Sequence, residues 1–388
     1  MRALALLLAL AVVPAWAQPL VVGAVLPQTG HLADLGADMQ KALVLWQETT
    51  NATGGLLGRQ VELKFLDDRS EASASARLYE QLIDVEHAEL LVGPLGSAAS
   101  VSAASVAERR RRVLVNATGV TRTVHRAGTR YVFQVPAPLA AYGEGALEIV
   151  RAMGYRRLHV VARSDPASRE AAAQLVERAT AAGLEPGPVE TVATGESDYK
   201  AQIAKARARD VQAWIAFGQP EDAGDMVKSF KRIGYAPWMF LAQGSANPRF
   251  LKLVGRDAEF VLGISAYETG LRTRGNLEFV QAWRKRWSLD PGAIAATAYA
   301  AVLILEQAVR KAGSVDTERL RAALAELDSE TSIGRYRVDA DGIQVAAKPA
   351  VVQILAGRRE IVWPEAFATA KWRLPYPRWD ERQARAAQ

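Results

Sequence analysis

The sequence predicts an α/β protein of two lobes, each built on a parallel β-sheet. Short apolar strands alternate with amphipathic helices along most of the chain, which is typical of parallel strands connected by helices. The same alternation begins again after a Pro-rich segment at 135–138. A chain of 388 residues is also longer than one average core can accommodate, so two lobes are expected.

Residues 1–17 have the layout of a secretory signal peptide. A positive charge at Arg2 precedes the apolar run 3–13, and the small-residue exit Ala15-Trp16-Ala17 follows. We therefore expect cleavage after Ala17 and export from the cytoplasm; an uncleaved anchor is the alternative. The chain has no Cys, so we expect no lipid anchor on a cysteine.

The elements of the first half follow from hydrophobic spacing. Period-2 or continuous apolar runs predict strands, and apolar residues at helical spacing predict helices. The Gly-rich run 51–59 ends the first of these helices. We expect strands at 20–26, 61–65, 89–92 and 113–115, and helices around 35–46, 70–84 and 97–112.

The second half repeats this pattern. We expect strands at 158–162, 189–192, 213–217 and 238–242, and helices at 145–153, 168–182, 199–209 and 221–233. A second crossing between the lobes is expected at 263–267. The long helices 276–287 and 293–312 would then belong to the first lobe again.

Composition argues against several classes of protein. The net charge of +6 is modest and its Lys and Arg are scattered, which does not indicate a nucleic-acid-binding protein. The four His are dispersed, and the motifs of nucleophile elbows, phosphate-binding loops and dinucleotide folds are missing from the sequence. We therefore expect no enzyme activity, no catalytic residues, no metal and no cofactor.

Small polar residues follow three of the expected strands: Ser97, the segment Asn116-Ala117-Thr118, and Gln243. Ligands of open parallel sheets bind beyond the carboxyl ends of the strands. Ser97 is expected to cap a helix, whose N-terminal N–H groups favour an anion, and the Thr118 hydroxyl could supply a second donor. Together they suit a carboxylate; the alternative is a simple helix cap and turn residue.

Several motifs resemble those of the periplasmic solute-binding proteins of branched-chain amino acid (Leu/Ile/Val-type) ABC transporters. They occur in family order and cover nearly all of the expected mature chain. In the sequence they are Pro27-Gln28-Thr29-Gly30, NATGGLLGR at 51–59, Asp67-Asp68, Gly93-Pro94, Ser97, Asp198-Tyr199 and Ile233-Gly234-Tyr235.

This resemblance implies the type I periplasmic binding fold: two Rossmann-like lobes with parallel sheets, joined by three hinge crossovers around a ligand cleft. The first lobe would comprise 18–136 and 267–342. The second lobe would comprise 137–266 and 343–379, and 380–388 would be a polar tail.

The resemblance also implies a set of ligand-binding residues. Ser97 and Thr118, with the backbone at Asn116 and Ala117, would hold the ligand carboxylate. Gln243 stands where amino-acid-binding members carry a glutamate for the α-ammonium. Two further departures lie at Leu35, where such members often have Tyr, and at Gln219, in a segment where Gly-Tyr is common.

We therefore expect a monomeric periplasmic protein that binds a small carboxylate, an amide or an amino-acid-like ligand. It would deliver this ligand to an inner-membrane ABC permease, without a required ammonium because Gln243 cannot pair as a charge. Two alternatives are a module that presents its ligand to a signalling receptor, and an exported hydrolase.

Overall fold

The computed structural model describes residues 18–126 and 128–382. The expected signal peptide at 1–17 and the end of the polar tail, 383–388, lie outside the described residues. The strands in the described part are β1 (Leu20–Leu26), β2 (Val61–Asp67), β3 (Leu90–Val92), β4 (Leu114–Asn116), β5 (Val132–Gln134), β6 (Arg157–Arg163), β7 (Glu185–Pro186), β8 (Glu190–Val192), β9 (Ala213–Phe217), β10 (Met239–Ala242), β11 (Leu262–Ser265), β12 (Ser329–Thr331), β13 (Gly334–Tyr336), β14 (Ala350–Leu355) and β15 (Arg358–Trp363).

The α-helices lie between these strands in chain order. They are α1 (Ala33–Ala52), α2 (Ser75–Asp84), α3 (Ser97–Arg110), α4 (Glu144–Ala152), α5 (Pro166–Ala181), α6 (Lys200–Ala208), α7 (Pro220–Ile233), α8 (Pro248–Val254), α9 (Asn276–Trp287), α10 (Ala293–Ala312) and α11 (Thr317–Ala325).

The first sheet is parallel, with the strand order β2-β1-β3-β4-β5. Its core includes residues from α1 and from the later helices α9, α10 and α11, so the chain returns to this sheet as the sequence predicts. Helix α10 has the length and apolar composition of a membrane span, but most of it is buried inside the protein. It is therefore accounted for as a core helix.

The second sheet has the order β15-β14-β11-β10-β9-β6-β7, with β8 also beside β6. Strands β6 to β11 are parallel, whereas β14 is antiparallel to both β11 and β15. This hairpin was not expected from the sequence, which predicted parallel strands only. The tight turn at Ala356-Gly357, where both residues have positive φ, allows the chain to reverse without a crossover helix.

The chain passes between the two sheets three times, after β5, after β11 and after β13. The first and third crossings lie side by side. The Gln344 side chain donates to the backbone oxygen of Val135 at 3.1 Å, and the Gln134 N–H donates to Gly342 at 2.9 Å. This three-crossing α/β architecture is the fold class that the resemblance implies.

The run NATGGLLGR closes the connection between α1 and β2. The Asn51 side chain exchanges two hydrogen bonds with the backbone of Val61, at 2.7 and 2.9 Å. Gly55 has φ +79, and a Cβ there would lie 2.0 Å from the backbone oxygen of Arg59. The Arg59 guanidinium binds Glu89 and the backbone before β1. The motif therefore shapes the first sheet and contributes no side chain to its ligand edge.

Candidate functional site

Ser97 is the first residue of α3, which begins beyond the carboxyl end of β3. The expectation that Ser97 caps this helix is wrong, because Gly96 occupies the cap with φ +87 and no side chain caps the helix. The Ser97 Oγ instead accepts the backbone N–H groups of Val120 and Thr121, at 3.1 and 3.4 Å. A serine hydroxyl has one proton and two acceptor positions, so its proton is left to donate.

Thr118 ties two strand ends together. Its hydroxyl accepts the Gly96 N–H at 2.7 Å and donates to the backbone oxygen of Pro94 at 2.7 Å. The prediction that the Thr118 hydroxyl donates to a ligand carboxylate is therefore wrong, because its single proton is donated to Pro94. Thr118 positions the residue before α3.

Asn116 is the last residue of β4, and Ala117 follows it. The buried Asn116 amide accepts the Gly119 N–H at 2.8 Å and donates to the Gly119 oxygen at 2.9 Å, which fixes the loop that contacts Ser97. The Ala117 side chain is fully buried in the core of the first sheet. Ala117 as a whole is 0% exposed, so the expected ligand contact through its backbone is not accessible in this structure.

Leu35 lies in the first turn of α1, just beyond the carboxyl end of β1, and 42% of it is exposed. A Cβ at the next residue, Gly36, would lie 1.8 Å from the Pro27 oxygen, so α1 begins in close contact with the turn after β1. Leu35 therefore presents an apolar side chain at the same edge of the sheet as Ser97.

Gln219 and Gln243 follow β9 and β10, at the carboxyl edge of the second sheet. Gln219 caps α7 in a reciprocal capping box with Asp222, whose carboxylate accepts the Gln219 N–H at 2.7 Å. Gln243 is half-buried at the start of the turn Gln243–Ala246. A Cβ at Gly244 would lie 2.2 Å from the Gln219 oxygen, so the two loops are brought together.

Sequence reasoning missed Arg163, the last residue of β6 at this same edge. Its Nε donates to the Thr194 hydroxyl at 3.2 Å and lies 3.6 Å from the Asp165 carboxylate. Its Nη1 lies 3.9 Å from the Asp222 carboxylate. Burial raises the pKa of Asp222, and the Gln219 N–H and Arg163 partly oppose this shift. The signal in the sequence was a polar residue after a buried strand, the same signal that indicated Gln243.

A hydrogen bond connects the loop beside Ser97 to the second lobe. The Arg122 N–H, in the loop that contacts Ser97, donates to the Glu170 carboxylate of α5 at 3.2 Å. Helix α5 begins three residues after Arg163. This contact joins the loop beside the uncapped N-terminus of α3 to the helix that follows Arg163, at the sheet edge where Gln219 and Gln243 also lie.

The comparisons with known proteins agree with the fold. Residues 19–359 match the periplasmic binding protein family. The leucine-, isoleucine-, valine-, threonine- and alanine-binding protein of Pseudomonas aeruginosa is 22% identical over 81% of this chain and 84% of its own length.

Two solved structures share the fold. A putative branched-chain amino acid ABC transporter from Silicibacter pomeroyi has a TM-score of 0.82 and 22% identity, covering 92% of this chain and 99% of its own. A solute-binding protein from R. palustris, solved in complex with benzoate, has a TM-score of 0.69 and 20% identity, covering 93% and 97%. The relatives are extracytoplasmic binding proteins and not enzymes. The chain therefore belongs to the periplasmic binding protein family and has the type I fold of its branched-chain amino acid-binding members.

Proposed function

We propose that this protein is the solute-binding component of an ABC uptake system, and that it takes a small carboxylate that needs no α-ammonium. The N-terminus of α3 carries this proposal. Its first N–H groups have no side-chain cap, and the Ser97 hydroxyl beside them retains a proton to donate. Free N–H groups and the helix dipole favour an anion at this place.

On the opposite side, the position that carries a glutamate in amino-acid-binding members is uncharged in this chain. Gln243 is a neutral amide, and Arg163 carries a positive charge at the same edge. The nearby carboxylates are already engaged: Glu221 with Arg249 at 2.9 Å, and Asp222 with the Gln219 N–H. Benzoate and 3,4-dihydroxybenzoic acid, named for two similar solved structures, are carboxylates without an ammonium.

Closure of the cleft would couple binding to transport. A ligand held at α3 gains contacts to the second lobe only in the closed form. It therefore shifts the equilibrium between the open and closed forms by the difference between its affinities for them. An inner-membrane permease then recognises the closed, monomeric protein. This proposal includes export to the periplasm after cleavage of residues 1–17.

Thermal unfolding against paired ligands tests the proposal. The protein is first unfolded and refolded to remove bound ligand. Leucine is then compared with 4-methylpentanoate, phenylalanine with 3-phenylpropanoate, and benzoate is added. A ligand at 100 times its dissociation constant stabilises by about 2.7 kcal/mol, enough for a measurable rise in Tm. We expect the free acids to raise Tm more than their amino acids.

The variant Gln243→Glu sharpens this test, because it adds the carboxylate that amino-acid-binding members carry. We expect it to shift preference at least tenfold toward the amino acid of each pair. Gln212→Glu is the matched control, since it adds the same charge at the opposite end of β9 and keeps the oxygen that accepts the Arg156 and Arg157 N–H groups. Stronger binding of amino acids than of acids by the unaltered protein would contradict the proposal.

A further inference from the structure

The Arg163 guanidinium is held in place but has unused donors. It is about three-quarters buried, and its Nε is engaged by Thr194 at 3.2 Å. Within 18–126 and 128–382, no protein atom accepts a hydrogen bond from its two terminal nitrogens; Asp222 lies near one of them at 3.9 Å. Four of the five N–H groups of a guanidinium are on these nitrogens.

Two fixed carboxylates flank the guanidinium. Asp165 caps α5, where it accepts the Ser168 N–H at 2.9 Å and the Ser168 hydroxyl at 2.8 Å. Asp222 is only 5% exposed and is held by the capping box of α7. Because helix caps fix both carboxylates, Arg163 has a defined position at the end of β6.

The single positive charge of Arg163 is outnumbered by the two carboxylates beside it. Asp165 and Asp222 lie within 4 Å of the guanidinium nitrogens, at 3.6 and 3.9 Å. A second carboxylate on a ligand would therefore meet two negative groups as well as one positive group. A neutral oxygen acceptor would accept the free N–H groups without this repulsion.

We propose that Arg163 is a ligand contact of the second lobe, and that it selects small acids carrying a neutral acceptor, a hydroxyl or carbonyl oxygen, away from the carboxylate. This inference rests on the proposed function, because the carboxylate at α3 sets which end of the ligand reaches Arg163. The hydrogen bond from the Arg122 N–H to Glu170 joins the loop beside Ser97 to α5, which begins three residues after Arg163.

Calorimetric titration of the refolded protein tests this selection. The pairs are benzoate with 3- and 4-hydroxybenzoate, and pentanoate with 4-oxopentanoate. We expect at least one acid with a neutral acceptor to bind at least tenfold more tightly than its parent, and terephthalate to gain nothing over benzoate. Arg163→Met is expected to abolish this difference between each acid and its parent.

Two further variants separate recognition from folding. Arg163→Lys retains the charge beside Asp222 but not the planar donor pair, so it is expected to keep the fold and lose most of the difference. Arg157→Met is the matched control. Arg157 lies at the other end of β6, with an ion pair to Asp210 at 2.7 Å, and its loss is expected to leave both affinities unchanged.

The outcomes distinguish this inference from the function on which it rests. If the parent acids bind but the acceptor brings no gain, or the gain persists in Arg163→Met and Arg163→Lys, the role of Arg163 is refuted and the carboxylate site stands. If none of these acids binds, both are refuted.

Discussion

At the scale of single residues, Thr118 is the side chain whose loss should affect folding most directly near the cleft. Thr118→Val leaves the Gly96 N–H and the Pro94 oxygen without their partner. We expect the free energy of unfolding to fall by about 1–3 kcal/mol, measured by urea denaturation. Thr118→Ser keeps the hydroxyl and should lose less; equal losses in the two variants would contradict the assigned hydrogen bonds.

His159 should make stability depend on pH. It is buried against the Trp214 ring, with ring centroids 4.3 Å apart. Burial, with smaller contributions from Arg209 and Lys205, lowers its pKa from 6.5 to about 4. The unfolded chain binds this proton more readily than the folded one, so the stabilisation is present above pH 6.5 and is lost as pH falls toward 4.

We expect His159→Phe to remove this dependence and keep an aromatic ring beside Trp214. Between pH 7 and pH 4.5, the unaltered protein should lose about 2 kcal/mol more than the variant. Urea unfolding at the two pH values measures the difference. Identical losses would show that His159 does not titrate differently in the folded chain.

The sequence predicted that Ser97, Asn116 and Gln243 lie at the carboxyl edges of the sheets, because each follows or ends an expected strand. The sequence could not show which group accepts the proton of the Thr118 hydroxyl. Thr118 follows β4, whereas its partners Gly96 and Pro94 follow β3. The sequence also could not identify Gly96 as the N-cap of α3, since glycine has no side chain that could form a capping hydrogen bond. Arg163 was missed because an arginine after a strand is equally typical of a solvated surface.

At the scale of elements, the turn after α1 offers a matched pair of glycines. Gly54 and Gly55 both have positive φ, but only at Gly55 would a Cβ meet the backbone, 2.0 Å from the Arg59 oxygen. We expect Gly54→Ala to cost about 1–2 kcal/mol from backbone strain, and Gly55→Ala about 2–5 kcal/mol because the turn must also shift. Urea unfolding compares them, and equal costs would refute the close approach.

The long helices were the easiest elements to predict. Helices α9 and α10 have the bounds expected from their apolar spacing. Strands β12 to β15 were not anticipated. In β14, every residue is buried, including Gln353, whose side chain donates to the Phe260 and Arg373 oxygens at 2.9 and 3.0 Å. A polar residue satisfied by distant backbone gives no periodic signal.

At the scale of the whole molecule, the three crossings define what can move. They connect two sheets with largely separate cores. The family pattern found in the sequence predicted this architecture. The nature of the ligand depends on side chains at the edges, where this chain departs from that pattern.

Small-angle X-ray scattering of the refolded, ligand-free protein, with and without saturating benzoate or 4-methylpentanoate, tests the central claim most directly. Closure on a small carboxylate predicts that the radius of gyration falls with the acid and changes less with leucine at the same concentration. A radius that is unchanged by every acid, or that falls only with leucine, would contradict the account.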